Sequence, residues 1–109
     1  MFQPSVPTVD ISAVPADAAL LDVREQDEWD AGHASAAVHI PMSQFVSRLG
    51  ELPEQEPLYV VCRVGGRSAQ VVQYLVAQGR KAVNVDGGML AWEAAGRELV
   101  SDSGQAFVA

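Results

Sequence analysis

The stretch Leu58-Tyr59-Val60-Val61-Cys62-Arg63-Val64-Gly65-Gly66-Arg67-Ser68 decides the fold. Its first half is apolar and rich in β-branched and aromatic residues, which predicts a buried strand. Its second half turns through two consecutive glycines into a segment that places Val71, Val72, Leu75 and Val76 on one face and stops at Gly79. That pattern predicts an amphipathic helix beginning near Ser68. A strand that feeds a helix through a tight loop is the repeating joint of an α/β sheet.

The same joint recurs to either side. Ala19 to Val23 is a short apolar run that reads as a strand, followed by a short acidic helix from Glu25 to Ala31. Ala37 to Ile40, closed by Pro41, is a weaker strand, and Met42 to Leu49 reads as another helix. Ala82 to Val85 is a further strand, with a helix from Met89 to Ala95 that ends at Gly96, and Thr8-Val9-Asp10 adds an edge strand. Strand and helix alternate throughout. The expected fold class is therefore α/β: a parallel sheet of about five strands with helices on both faces and right-handed crossovers. In such sheets ligands bind at the carboxyl ends of the strands.

With 109 residues the chain has the size of one domain, with a core from about residue 8 to residue 96. The tail from Arg97 to Ala109 shows weak patterning and reads as a loop or frayed end. The net charge is −7, and the seven basic residues form no stripe, so nucleic acid is not an expected partner. No apolar run approaches the roughly 20 residues needed to span a bilayer, and the first residues lack the pattern of a secretory signal. No membrane association and a cytoplasmic location are the expectation.

The chain has a single cysteine, so Cys62 forms no internal disulfide and no cysteine-rich zinc site. It is either a small buried hydrophobe at a strand end or a reactive thiol. Its context favours the second. The turn through Gly65 and Gly66 lets successive backbone N–H groups converge on the sulfur at a helix N-terminus, and Arg63 and Arg67 add positive charge. Both effects lower a thiol pKa from about 8.5 and favour a nucleophilic thiolate.

Taken in order, Leu21-Asp22-Val23-Arg24-Glu25, Gly32-His33, Ile40-Pro41, the Cys62 to Ser68 loop and Asn84-Val85-Asp86-Gly87-Gly88-Met89-Leu90-Ala91-Trp92 resemble the successive signatures of rhodanese-like domains. The resemblance covers roughly residues 8 to 96. Ser35-Ala36 stands where Pro-Gly is frequent in the family and His39 where Asn is frequent, so Ala36 should avoid a positive φ that glycine tolerates. The resemblance implies a sulfurtransferase: Cys62 takes the outer sulfur of thiosulfate or a persulfide donor and holds it as a persulfide. The acceptor is a thiol or cyanide, and a protein sulfur donor or acceptor is an open alternative. It further implies that the backbone of Arg63, Val64, Gly65, Gly66, Arg67 and Ser68 cradles the transferred sulfur, with no cofactor and no metal. Either arginine could pair with the oxygens of thiosulfate, and Ser68 could cap the helix or donate to the sulfur.

A phosphatase or arsenate reductase of the related type is the enzymatic rival. Such enzymes separate Cys and Arg by five residues, whereas four separate Cys62 from Arg67, and Val61 stands where His is common. The shorter loop suits one sulfur atom better than a tetrahedral oxyanion. Asp22 and Arg24 read as a structural ion pair. His33 and His39, without matching ligands nearby in sequence, read as partners of turn-stabilising hydrogen bonds. Trp29 and Trp92 read as core aromatics, and Gly87-Gly88 as a turn.

Overall fold

The structure, a computed structural model, describes residues 6–109. Strands β1 (Thr8–Val9), β2 (Ala19–Asp22), β3 (Val38–His39), β4 (Leu58–Val61) and β5 (Ala82–Val85) form one sheet with the spatial order β1-β5-β4-β2-β3. Every neighbouring pair is parallel, and the register sets Leu21 beside Val60 and Val60 beside Asn84. The helices are α1 (Gln26–Ala31), α2 (Gly66–Ala77) and α3 (Gly88–Ala94).

The two-residue period of a strand sorts side chains into two cores. Leu58, Val60 and Cys62 point to one face with Leu21 and Val23, where they meet Val71, Val72 and Leu75 of α2 and the ring of Phe45. Val61, Leu20 and Val85 point to the other, against Met89 and Trp92 of α3. Both faces of the sheet are therefore covered, as a parallel sheet requires. Asn84 shares the parity of Ala82, so it projects to the face that carries Cys62 and α2.

Two segments differ from the reading of the sequence. Met42 to Leu49 is not an α-helix but two 3-10 turns, Met42–Gln44 and Val46–Glu51, the second interrupted at Arg48. Phe45 is buried and Met42 and Leu49 pack against the same core, but the backbone bonds run to the third residue back, Phe45 N–H to Met42 O (3.2 Å) and Arg48 N–H to Phe45 O (3.0 Å), and Arg48 leaves the helical region at φ −122°. The tail is not frayed. Val100 exchanges two backbone hydrogen bonds with His33, Phe107 N–H donates to Ala31 O (3.1 Å), and Val108 is buried in the α3 core. Side chains add to these bonds, with Arg97 Nη2 donating to Ile11 O and Val14 O and the Ser101 hydroxyl to Asp30 O, and such scattered contacts from irregular backbone leave no periodicity to read.

Among the described residues no helix is long and apolar enough to cross a membrane.

Candidate active site

β4 is the central strand, and its neighbour β2 is continued by the chain in the opposite direction across the sheet, toward β3 rather than β5. The carboxyl ends of β2 and β4 thus flank the point where the strand order reverses, the place where such sheets form a crevice. Cys62 is the first residue after β4. The loop that follows depends on glycine in two ways. Gly65 has φ +121°, a conformation that side chains rarely adopt, and it forms the N-cap of α2. Gly88, from the far side of the sheet, approaches the backbone of Cys62 and Arg63 so closely that a Cβ would collide with it. That approach lets Met89 N–H donate to Cys62 O (2.8 Å) and Leu90 N–H to Arg63 O (3.1 Å). The chain turns at Asp86-Gly87 into α3, of which Gly88 is the first residue, and the same approach fixes the backbone beneath the cysteine.

Cys62 is only 1% exposed. Its Sγ accepts hydrogen bonds from Gly65 N–H (3.0 Å) and Ser68 Oγ–H (3.3 Å). Burial pushes the thiol pKa up. The Ser68 hydroxyl and the backbone N–H groups of Ser68, Gly65 and Val64 act against it and together prevail, so the net shift is downward. An inert core thiol would show the first effect alone. The loop therefore favours a thiolate even at a position that solvent scarcely reaches.

Asn84 is the polar residue that sequence reading passed over. Its Nδ2 donates to Gly65 O (3.2 Å), and its Oδ1 shares with Cys62 Sγ the single proton of the Ser68 hydroxyl. It thereby grips both residues that donate to Sγ. It is 7% exposed, a buried amide whose polar ends are both satisfied. In the sequence it stands as a polar residue inside the apolar run of β5 and opens the Asn84 to Trp92 signature, with no role marked for it. Ser68 does not cap α2, which has no side-chain cap; its hydroxyl faces Cys62 and Asn84 instead.

The two arginines are engaged outside the cradle. Arg63 is exposed, and its Nε donates to Ala109 O (2.8 Å). Arg67 forms a bidentate pair with Glu28 of α1, Nη1 to Oε1 at 2.7 Å and Nη2 to Oε2 at 2.8 Å. The guanidinium holds the Glu28 carboxyl at a pKa of about 2, and Glu28 in turn raises that of Arg67. Val64, between them, is exposed, and Gly66 has open space where a Cβ would lie.

Asp22 and Arg24, both fully buried, form the expected ion pair at the end of β2. Arg24 Nε and Nη2 donate to the Asp22 carboxylate at 2.8 to 3.1 Å, Nη2 also to Gly32 O (2.7 Å), and Nη1 to Glu28 O (3.3 Å). The pair fastens α1, and Glu28 with it, to the sheet. His33 Nδ1–H donates to Trp29 O and His39 Nε2–H to Arg24 O, both at 2.8 Å, the local bonds expected of them. Among the described residues no group of three or more His, Cys, Asp or Glu side chains is placed to hold a metal ion. Ala36 avoids a positive φ, as expected. Trp92 is a core aromatic, with Nε1–H bonded to Glu98 O (2.8 Å). Trp29 is not: it lies half-buried between the rings of His33 and His39, stacked at 3.6 and 4.5 Å. Its neighbours on α1 are polar, so the helix offers no apolar face to draw the indole into the core.

A separate cavity of about 300 Å³ lies between Leu20, Ala34 and Trp92, and no residue of the Cys62 loop lines it.

Comparison with known proteins agrees with this geometry. The family model described as rhodanese-like domain matches residues 11–95. The chain is 45% identical over 74 residues to a protein of Bacillus subtilis named "Putative sulfurtransferase YtwF", covering 68% of this chain and 72% of that one. It is 34% identical over 89 residues to a protein of Allochromatium vinosum named sulfurtransferase, covering 81% and 83%. The crystal structure of a rhodanese-like domain protein from Staphylococcus aureus superposes with a TM-score of 0.70 at 31% identity, over 94% of this chain and 99% of that one. The parallel five-stranded sheet, the cysteine loop at its switch point and the family match lead to one conclusion: this chain belongs to the rhodanese-like domain family.

Proposed function

We propose that this chain is a sulfurtransferase that moves a sulfane sulfur from thiosulfate or a persulfide donor to a thiol or cyanide acceptor, carrying it as a persulfide on Cys62. The observation that carries the reading is the donor set at Sγ, Gly65 N–H and the Ser68 hydroxyl whose one proton is shared with Asn84, at the end of the central strand. They favour the thiolate, which is the attacking species in sulfur exchange. The thiolate attacks the outer sulfur of the donor. A bond forms from Sγ to that sulfur as the donor's S–S bond breaks, and the leaving group departs with the electron pair. Sulfite or a thiolate is stable as an anion, so no general acid is needed. The backbone N–H groups from Arg63 to Ser68 then face the new terminal sulfur, and an acceptor removes it by the reverse attack. The names of the relatives, sulfurtransferase among them, support the same reading.

The test is intact mass spectrometry of the reduced chain after incubation with thiosulfate or with a low-molecular-weight alkyl persulfide. The expected result is a gain of one sulfur atom that cyanide or a thiol removes, absent in Cys62→Ser. A chain that releases phosphate from a phosphate ester and never gains sulfur would overturn the proposal in favour of the phosphatase rival.

A further inference from the structure

We infer that Glu28 selects the charge of the sulfur donor: by neutralising Arg67 it suits the Cys62 loop to an organic persulfide, R–S–SH, rather than to a dianion such as thiosulfate. The inference rests on the sulfur-transfer reading above and narrows its substrate class.

The loop brings two arginines to the cysteine, and the sequence alone suggests a cationic cradle. The structure gives a different sum. Glu28 meets Arg67 fork to fork, at 2.7 and 2.8 Å. The Glu28 carboxylate is fixed in place from its own helix, since Glu25 N–H donates to Oε1 (3.0 Å) and Arg24 Nη1 holds the Glu28 carbonyl. It stays ionised down to a pH of about 2, so the pair is neutral under all ordinary conditions. Glu25 stands one turn earlier on the same side, its carboxylate accepting from the Ser43 hydroxyl. Arg63 keeps its charge but is exposed and directed at Ala109 O, a position where solvent screens it. Arg63 and Arg67 against Glu25 and Glu28 sum to zero, in a chain whose overall charge is −7.

The two donor classes place different demands on such a site. When the thiolate meets thiosulfate, three negative charges share the loop. The Sγ–S bond forms, the donor S–S bond breaks, and sulfite leaves as a dianion with the bonding pair. An organic persulfide brings at most one negative charge to the loop, and in its protonated form, the one whose outer sulfur the thiolate attacks, the pair carries a single negative charge throughout. The leaving RS⁻ takes the bonding pair and then the sulfhydryl proton, giving R–SH and Cys62–S–S⁻. The N–H groups and one hydroxyl that face Sγ are dipoles sufficient for one charge, whereas a dianion needs an uncompensated cation.

The experiment compares the reduced full chain with Glu28→Gln and Arg67→Gln. It reads sulfur loading by intact mass from thiosulfate and from an alkyl persulfide, and the ratio of Cys62 alkylation rates by iodoacetate, an anion, and iodoacetamide, which is neutral. Wild type is expected to load faster from the alkyl persulfide at equal concentration. Glu28→Gln should raise both thiosulfate loading and the iodoacetate to iodoacetamide ratio about three- to tenfold, the screened effect of one charge nearby. Loading from the alkyl persulfide should change by less than about twofold, because its reacting, protonated form adds no net charge. Arg67→Gln should shift thiosulfate loading and the alkylation ratio in the opposite sense. Faster wild-type loading from thiosulfate, or a Glu28→Gln variant in which thiosulfate loading and the ratio stay put, overturns the inference. If Glu28→Gln does not fold, an unchanged ratio in Arg67→Gln overturns it instead. Failure of both donors to load Cys62 defeats the sulfur-transfer reading itself, an outcome distinct from the others.

Discussion

Arg24→Met should destabilise the protein by about 4–6 kcal/mol, more than any surface substitution, because Arg24 and Asp22 are both fully buried. The figure follows from what each group loses. In the native protein the Asp22 carboxylate accepts from Arg24 N–H, Nε and Nη2 at 2.8 to 3.1 Å. After the substitution only the backbone N–H remains, and a buried carboxylate without its counter-charge costs about 3–5 kcal/mol. The carbonyls of Gly32 and Glu28 lose their guanidinium donors as well, adding about 1 kcal/mol after overlap. Against a total stability of about 5–15 kcal/mol the variant is at the edge of folding. Urea unfolding followed by circular dichroism measures the loss, with Arg24→Lys retaining the charge but not the fork and falling between. Asp22→Asn combined with Arg24→Met removes the stranded charge and should recover about 2 kcal/mol relative to Arg24→Met alone. A loss below about 1 kcal/mol in Arg24→Met, or a double variant no more stable than the single one, would refute the reasoning.

Two further outcomes follow from the Cys62 loop and its ion pair with α1. The Ser68 hydroxyl lowers the Cys62 pKa, so Ser68→Ala should move the midpoint of Cys62 alkylation to higher pH and slow alkylation at neutral pH about three- to tenfold, the value of one hydrogen bond; an unmoved midpoint excludes the hydroxyl from thiolate stabilisation. Glu28→Gln should cost about 1–2 kcal/mol at pH 7, well under the full value of a shift from 4.5 to about 2, since the Arg67 side chain is 34% exposed and screened. Because the folded pKa is the depressed one, this stabilisation is present above about pH 4.5 and lost as pH falls toward about 2. Urea midpoints of wild type and variant should therefore converge on acidification, and a gap as wide at about pH 3 as at pH 7 would count against the ion pair as its source.

Most of the architecture was legible because a parallel sheet buried on both faces leaves short continuous apolar runs, and Ala19 to Val23, Leu58 to Cys62 and Ala82 to Val85 are such runs. The Cys62 loop was legible because two glycines between a strand and a helix have few alternative geometries. What escaped depends on contacts between residues distant in sequence. The partner of Arg67 lies on α1, 39 positions earlier, and nothing local marks Glu28 as its counter-charge. Asn84 lies 16 positions beyond Ser68, and its place beside the cysteine follows only from the β4-β5 register. The helix expected over Met42 to Leu49 is broken at Arg48 although its apolar side chains still reach the core, and the docked tail is held by scattered bonds to residues far away in sequence, such as Arg97 to Ile11 and Val14.

The stacking of Trp29 between His33 and His39 has an optical consequence. Ring contact alters indole emission, so the fluorescence of this chain divides into a buried contribution from Trp92 and one from Trp29 that registers its stacking on the two neighbouring rings. Trp29 adjoins Glu28 in the chain, which makes it a built-in reporter for α1. A Trp92→Phe variant would isolate that emission, and any rearrangement of α1 when sulfur is loaded on Cys62 could then be followed in real time without an added label.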